Sequence, residues 1–218
     1  MKNPVGRPKT LDREKLINIA YQEYWCFGIN NVSLSKIANL AAVSRPGIYK
    51  EFTDEDGLKS EVLKKYNNAL QKHILEQYKN SNNIQTLIHH LYSYIGVPFD
   101  NKIFMELKNA AIFNTPKNAN GCLYEKAKIV KHLLYKKTIS EMNQFEKLRK
   151  SEFKNYIYRM QNYGKIIKSY KPEDVYEYIA SVLSVIQSLK NNKMNKVKIK
   201  AIIDKALSAI LSSEQTIN

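Results

Sequence analysis

The chain of 218 residues contains few cysteines, glycines, prolines and tryptophans, namely two, seven, six and one. Cys26 and Cys122 are far apart in sequence and form no CxxC motif, so neither a disulfide framework nor a zinc site is predicted. No stretch approaches the roughly 18 uninterrupted apolar residues that a membrane span needs. The first ten residues also lack the apolar segment of a secretory signal. These absences predict a cytoplasmic protein without a metal site.

The formal net charge of +15 is typical of proteins that neutralise phosphates. The charge is unevenly distributed, because residues 1–66 carry 11 basic and 8 acidic side chains while residues 67–218 carry 24 and 12. Only five of the 35 basic residues are arginine. Net charge by itself therefore indicates no particular binding face.

Apolar residues recur at helical spacing along almost the whole chain, and strand patterns of period two bounded by Asn-Gly or Asp-Gly turns are missing. An all-α protein is predicted. The motifs HExxH, GxSxG, GxGxxG and the P-loop are also missing. An enzyme is therefore disfavoured, and no cofactor is expected.

The N-terminal third contains three helix-start signals close together. Asp12 is a predicted N-cap for a helix that ends near Phe27, before Gly28. Ser33 and Ser44 are predicted N-caps of two short helices, and Pro46 then falls in the first turn, where its missing N–H has no helical partner. Two short helices joined by a turn behind a longer one predict a helix-turn-helix unit.

A fourth helix is expected from about Thr53 to Tyr78, with acidic residues in its first turn. Further helices are predicted at 84–95, 101–113, 122–137, 139–163, 172–190 and 195–212. The predicted division is a flexible arm at 1–10, a helix-turn-helix DNA-binding domain at 11–58 and a ligand-binding and dimerisation domain at 59–218.

A set of spaced residues in the first third resembles a known pattern, namely Ala20, Tyr24, Gly28, Ser33-Leu34, Ile37-Ala38, Val43-Ser44, Tyr49 and Phe52. On this pattern the chain resembles the TetR family of bacterial transcriptional regulators. Four further motifs resemble one subgroup of that family, namely Gly6-Arg7-Pro8, Tyr24-Trp25, Arg45-Pro46 followed by Tyr49, and Gly121-Cys122-Leu123. The second half matches only in its helical layout.

The first residues of a recognition helix face base edges, and an arginine there can bind guanine O6 and N7. Arg45 is the main candidate, while the resemblance implies that Tyr49 binds a phosphate. The complete predicted DNA-binding set is Ser33, Lys36, Ser44, Arg45, Pro46, Gly47, Tyr49 and Lys50. Two residues depart from the family pattern, and both concern the affinity for DNA. Ala42 stands where the family commonly has glycine. Glu55 stands where the resemblance implies a lysine that contacts a phosphate.

Aromatic residues are plentiful in the middle helices, and some of them would line a small-molecule pocket. The predicted pocket set is Tyr92, Phe104, Phe113, Cys122, Tyr124 and Tyr163. Cys122 has two open interpretations, either a thiol sensor near a helix N-terminus or a small buried side chain in the pocket wall. The four histidines have no metal-ligand spacing.

The last two helices carry broad apolar bands, which either form a dimer interface, as the resemblance implies, or an internal core. The predicted interface set is Tyr178, Val182, Val185, Ile186, Leu189, Ile203, Leu207 and Ile210. The resulting hypothesis is a dimeric regulator, with repression favoured, that leaves a palindromic operator when a small-molecule or thiol-reactive inducer binds. The alternatives are an activator, and a small-molecule or redox sensor whose DNA-binding head has degenerated and which acts through protein contacts.

Overall fold

The computed structural model describes residues 11–94, 116, 119 and 121–212, whose regular elements are helices. In chain order these are α1 (Arg13–Phe27), α2 (Leu34–Ala41), α3 (Arg45–Phe52), α4 (Glu55–Leu70), α5 (Glu76–Asn80), α6 (Gln85–Ser93), α7 (Leu123–Ile129), α8 (Lys136–Asn162), α9 (Pro172–Asn191) and α10 (Lys196–Ser208). A π-helical segment, Gln71–Leu75, joins α4 to α5, and a 3-10 turn, Lys131–Leu133, follows α7. The prediction of an all-α fold is confirmed.

The first three helices begin at the predicted capping residues. The side chains of Asp12, Ser33 and Ser44 each accept a hydrogen bond from the backbone N–H three residues later, at 3.0, 3.2 and 3.1 Å. Pro46 lies in the first turn of α3. Gly28, with φ +93°, ends α1 in a conformation that residues with a Cβ avoid. Local hydrogen bonds of this kind define all three starts.

Ala42 adopts a left-handed conformation in the turn between α2 and α3, with φ 53° and ψ 43°. The N–H of Val43 donates to Ala38 O at 3.0 Å, and the N–H of Ala42 donates to Asn39 O at 3.1 Å. This pair of bonds is a Schellman motif, which usually has glycine at the left-handed position. The turn therefore keeps its geometry with alanine, at a steric cost of roughly 1 to 2 kcal/mol.

The helix expected from Thr53 to Tyr78 starts later and is interrupted. Thr53 has φ +73°, so α4 begins only after Asp54, whose carboxylate accepts the N–H of Gly57 at 2.6 Å. A Cβ on Gly57 would lie 2.0 Å from the carbonyl oxygen of Phe52, so only glycine allows α4 to start this close to α3. The π-helical segment, which the apolar periodicity did not predict, then separates α4 from α5.

The later helices follow the predicted layout with shifted ends. The range 122–137 was too long, because α7 ends at Ile129 and a 3-10 turn follows, while α8 begins three residues earlier than the predicted 139. The predicted helix at 101–113 lies outside the described residues.

The buried apolar side chains form two cores, and α8 contributes residues to both of them. The first joins α1–α4 to α7 and the start of α8, for example through Leu123 and Phe145. The second joins α6, the end of α8, α9 and α10. The first core spans the predicted boundary after residue 58, which falls inside α4, and the division into domains stays a prediction.

Candidate nucleic-acid interface and ligand cavity

The helix α3 buries one face and presents the other to solvent. Ile48 and Phe52 are buried in the first apolar core, whereas Arg45, Tyr49 and Lys50 are exposed. The Nη2 atom of Arg45 donates to the hydroxyl of Tyr49 at 3.2 Å, one turn later on the same side. The structure thus brings the predicted arginine and tyrosine together on one solvent-facing surface.

Ser33, Ser44 and Gly47 have structural roles in this unit. The serine hydroxyls cap α2 and α3. Gly47 donates its backbone N–H to Ser44 Oγ at 3.1 Å, and a Cβ on Gly47 would lie 3.2 Å from that oxygen. Pro46 is exposed beside them.

The two predicted lysines differ in their contacts. Lys36 Nζ lies 2.7 Å from Glu23 Oε2 and 4.2 Å from the centre of the Phe27 ring, so its charge is held against α1. Lys50, by contrast, lies exposed in the last turn of α3. Of the two, Lys50 is the more accessible to a phosphate.

The second candidate site is a narrow cavity of about 30 Å³ behind α4. Its apolar wall includes Leu70, Ile74, Phe145 and Leu183, and Ile74 belongs to the π-helical segment. Ligand pockets for drug-sized molecules are typically about 300 to 1,000 Å³. In this conformation the cavity is therefore closed to such a ligand.

One side of the cavity is a buried ionic cluster centred on Arg149. Its Nη1 atom lies 2.7 Å from Glu125 Oε1. Its Nη2 atom lies 2.8 Å from Glu146 Oε2, and this second contact is an ion pair whose geometry is not that of a hydrogen bond. Tyr124 and Tyr176 donate their hydroxyls to Glu146 at 2.7 and 2.6 Å. Burial raises the pKa of Glu146, but Arg149 and the two hydroxyls outweigh it and lower that pKa to about 2. Arg149 and Glu146 therefore stay charged at neutral pH.

His90 also lines the cavity. Its Nδ1 atom lies 2.6 Å from the hydroxyl of Tyr78. Burial, with a smaller contribution from Arg149, lowers the pKa of His90 to about 3. The imidazole of His90 is therefore neutral at physiological pH, and it forms part of the cavity wall.

Among the predicted pocket residues, Cys122 and Tyr124 line this cavity. Tyr92 is buried elsewhere and donates its hydroxyl to Asp204 on α10. Tyr163 is 54% exposed at the end of α8, so its assignment to the pocket was wrong. Phe104 and Phe113 lie outside the described residues.

Three residues that line the cavity were not predicted, namely Arg149, Tyr176 and His90. For Arg149 a signal existed, because buried positions recur along α8 at Met142, Phe145, Phe153 and Tyr156, and Arg149 falls in the same stripe. A charged residue in an apolar stripe indicates a buried partner.

Cys122 is the N-cap residue of α7, and it is almost completely buried. Its backbone N–H donates to Gln187 Oε1 on α9 at 2.9 Å. Burial raises the pKa of the Cys122 thiol, and the charge of Glu125 raises it further, although a hydrogen bond with Tyr66 acts in the opposite direction. The resting side chain is a protonated thiol in the cavity wall.

The predicted interface residues separate into two groups. Ile186, Ile203, Leu207 and Ile210 are buried in the second core of the same chain, so they are unavailable to a partner. This corrects their assignment to an interface, because α9 and α10 pack these side chains against α6 and α8. Tyr178 and Val185 are exposed, and Val182 and Leu189 are half-buried.

No family model matches the chain. In sequence it is similar to the HTH-type transcriptional repressor ComR of Escherichia coli (strain K12), with 26% identity over 103 residues. That match covers 47% of this chain and 49% of ComR, so the chain spans about half the length of the relative.

In structure the chain is similar to a transcriptional regulator of the TetR family from Agrobacterium tumefaciens, with a TM-score of 0.71 and 14% identity. The match covers 91% of this chain and 97% of that regulator. This chain has the TetR-family fold. The TetR-family regulator CifR, solved as a cysteine mutant complexed with a 26-base-pair operator, shares it with a TM-score of 0.65 and 16% identity, over 94% of this chain and 100% of CifR.

Two structural observations accompany the TetR fold. Within residues 11–94 and 121–212, each helix is too short or too polar to cross a membrane. The same ranges hold no group of three or more His, Cys, Asp or Glu side chains that could bind a metal ion.

Proposed function

We propose that this chain is a ligand-responsive transcriptional repressor that binds a palindromic operator as a dimer and releases it when a small molecule enters the cavity. The observation that carries the proposal is the exposed pair Arg45 and Tyr49 on the second helix of a helix-turn-helix. The likeness of the fold to the operator-bound CifR supports it. The proposed activity is binding, without catalysis.

In the proposed complex, α3 enters the major groove with its N-terminal end. Arg45 donates two hydrogen bonds to guanine O6 and N7, which is worth roughly 1 to 3 kcal/mol of discrimination. Tyr49 and Lys50 bind phosphate oxygens and set the register of the helix without reading sequence.

A second copy is proposed to pack on the exposed band of α9. Tyr178, Val182, Val185 and Leu189 follow each other at spacings of four and three residues, so they lie on one face. A dimer through this face would present two α3 helices, which must lie about 34 to 36 Å apart to enter successive major grooves.

The cavity is connected to the helix-turn-helix by two routes. The first is α4, whose start contacts α3 and whose continuation, the π-helical segment, lines the cavity. The second is the start of α7, where the indole N–H of Trp25 donates to Gly121 O at 2.7 Å and Lys126 Nζ donates to Trp25 O at 2.7 Å. Both routes end on cavity-lining elements.

A ligand larger than about 30 Å³ must separate α4, α7 and α8 to enter. A state with the helices apart would hold Trp25 and α3 differently, and the ligand shifts the population toward that state by its differential affinity alone. A non-covalent inducer is favoured over a thiol-reactive one, because burial raises the pKa of Cys122 and so disfavours the reactive thiolate.

The test is fluorescence anisotropy on the upstream DNA and on a random duplex over a salt series. Arg45→Ala should bring specific binding close to random binding, whereas Tyr49→Phe should weaken both duplexes equally. Lys147→Ala, an exposed change on α8, serves as the control. Equal losses on both duplexes for Arg45→Ala would contradict base reading by Arg45.

The second candidate is a sensor whose DNA-binding head has degenerated. Two observations favour it, namely the strained Ala42 in the helix-turn-helix and the acidic Glu55 at the start of α4. A purified protein without salt-sensitive DNA affinity, on operator libraries as well as upstream DNA, would favour this candidate and exclude the repressor.

A further inference from the structure

The start of α8 is attached to the start of α4 by a buried carboxylate. Asp56 Oδ2 accepts the N–H of Lys137 at 2.7 Å, and Oδ1 accepts the N–H of Thr138 at 3.1 Å. Ser60 Oγ also donates to Lys137 O at 3.4 Å. Asp56, which belongs to α4, thus caps α8 from outside, and the two helix starts keep a defined separation.

This attachment places the start of α8 beside the recognition helix. Lys137 Nζ lies 3.0 Å from Asp54 Oδ2, and Asp54 caps α4 only two residues after α3 ends at Phe52. The helix α3 has eight residues, which corresponds to about 12 Å. Lys137 therefore lies near the C-terminal end of α3, and the length of that helix is close to the width of a major groove, about 12 Å.

The junction of α3 and α4 is acidic, and three cations offset part of its charge. Arg13 bridges Glu51 and Glu61 at 3.0 Å each, Lys59 Nζ lies 2.8 Å from Glu55 Oε1, and Lys137 pairs with Asp54. An uncompensated junction would repel a phosphate backbone. The α8 lysine thus removes one of these repulsive charges.

The residue before Lys137 adds a further positive charge and reduces the negative charge that remains at this junction. Lys136 is exposed and forms no ion pair with the part of the chain that the structure describes. Tyr135 is 70% exposed beside it. We refer to Tyr135, Lys136 and Lys137 as the α8-start surface. It offers one uncommitted cation and one hydroxyl donor, the groups that bind phosphate oxygens without reading bases.

We propose that the α8-start surface is a second phosphate-contacting site, which binds the DNA backbone flanking the groove that α3 enters. This inference rests on the proposed DNA binding, and it extends the DNA-contacting surface to a helix outside the helix-turn-helix.

The test compares Lys136→Gln with Lys147→Gln on the full chain. Both lysines are exposed on α8, but they are 11 residues apart, or about 16 Å along the helix. Loss of one phosphate contact should reduce the slope of log affinity against log salt by roughly 1 per chain. It should also weaken specific and random DNA equally, by roughly eightfold per chain at about 0.1 M salt. Lys147→Gln should leave both quantities unchanged.

Tyr135→Phe should produce a smaller, equally sequence-independent loss without a change in the salt slope, since no charge is removed. Thermal unfolding of each variant should match the wild type, because both side chains are exposed. If the wild-type protein binds DNA and Lys136→Gln keeps the wild-type slope, the inference is overturned while the proposed function stands. If the wild-type protein binds no DNA, both are overturned.

Discussion

On α3, Arg45 and Lys50 extend into solvent, whereas Arg149, beside the cavity, is enclosed by two carboxylates and two tyrosines. The guanidinium groups of Arg45 and Arg149 thus lie in opposite environments. An exposed arginine contributes little to stability and is free to bind a partner, while a buried one is committed to its neighbours. Substitutions on α3 should therefore change DNA binding at constant stability, and substitutions in the cavity cluster should change stability first.

The largest expected effect is that of Arg149→Met. The change keeps much of the apolar stem. Among the residues that the structure describes, it leaves the buried carboxylate of Glu125 with Lys128, at 3.6 Å, and the Ser184 hydroxyl, at 3.2 Å. Breaking a buried ion pair typically costs about 3 to 5 kcal/mol. We expect the lower end, near 3 kcal/mol, measured as a reduced urea midpoint with an unchanged m-value.

Its matched control is Lys150→Met, which removes the neighbouring exposed lysine and its pair with Glu177. Exposed pairs contribute little to stability, so the urea midpoint should stay close to that of the wild type. Adding Glu125→Gln to Arg149→Met should recover part of the loss, because the unpaired charge disappears. Equal effects of Arg149→Met and Lys150→Met would break the contrast between the two regions.

An intermediate effect is expected for Gly57→Ala, at the junction of α3 and α4. The new Cβ would lie 2.0 Å from the carbonyl oxygen of Phe52, so one of the two helix ends must move. Overpacking of this kind costs roughly 1 to 3 kcal/mol, and the displaced α3 should also lose operator affinity. Differential scanning calorimetry and DNA anisotropy measure the two consequences.

The same substitution at Gly47 is the comparison for Gly57→Ala. There the new Cβ would lie 3.2 Å from Ser44 Oγ and 3.6 Å from Leu11 Cδ1, which are side-chain atoms that can shift slightly. The gain in helix propensity, about 1 kcal/mol, offsets this crowding. A Gly57→Ala protein as stable as Gly47→Ala would show that the junction is more adaptable than its geometry indicates.

The smallest effect is a gain, for Ala42→Gly. Glycine removes the steric cost of φ 53°, and its greater freedom in the unfolded chain offsets part of the benefit. We expect about 0.5 to 1 kcal/mol of stabilisation in urea unfolding. Ala41→Gly, inside the last turn of α2, should instead destabilise by about 1 kcal/mol. A loss at both positions would mean that the left-handed turn is unstrained.

The helix-turn-helix was accessible to prediction because its signals are local. Each cap joins a side chain to an N–H three residues later, so Asp12, Ser33 and Ser44 indicate helix starts in any tertiary context. The exposure of Arg45 follows from the same logic, since Ile48 and Phe52 must face the core. The fold of this third was therefore predicted nearly residue by residue.

The cavity and the last two helices were less accessible because their contacts are long-range. Arg149 meets Glu125 and Tyr176 at separations of 24 and 27 residues, which no short motif records. On α9 and α10 the apolar bands were correctly located, but the sequence could not distinguish Ile186, which is buried, from Val185, which is 49% exposed. Adjacent positions in a wide apolar band are separated only by the neighbouring helices.

By itself, the sequence determined an all-helical chain, the capped starts of α1–α3 and the solvent-facing side of α3. Hydrogen bonds spanning three or four residues and the helical period are enough for these features. The tertiary structure decided which apolar side chains form a core, where the π-helical segment meets the cavity, and how Lys137 reaches Asp54 across 83 residues. Such contacts depend on how α4 and α8 pack along their whole lengths, because the position of one helix start is set by every layer of side chains between them.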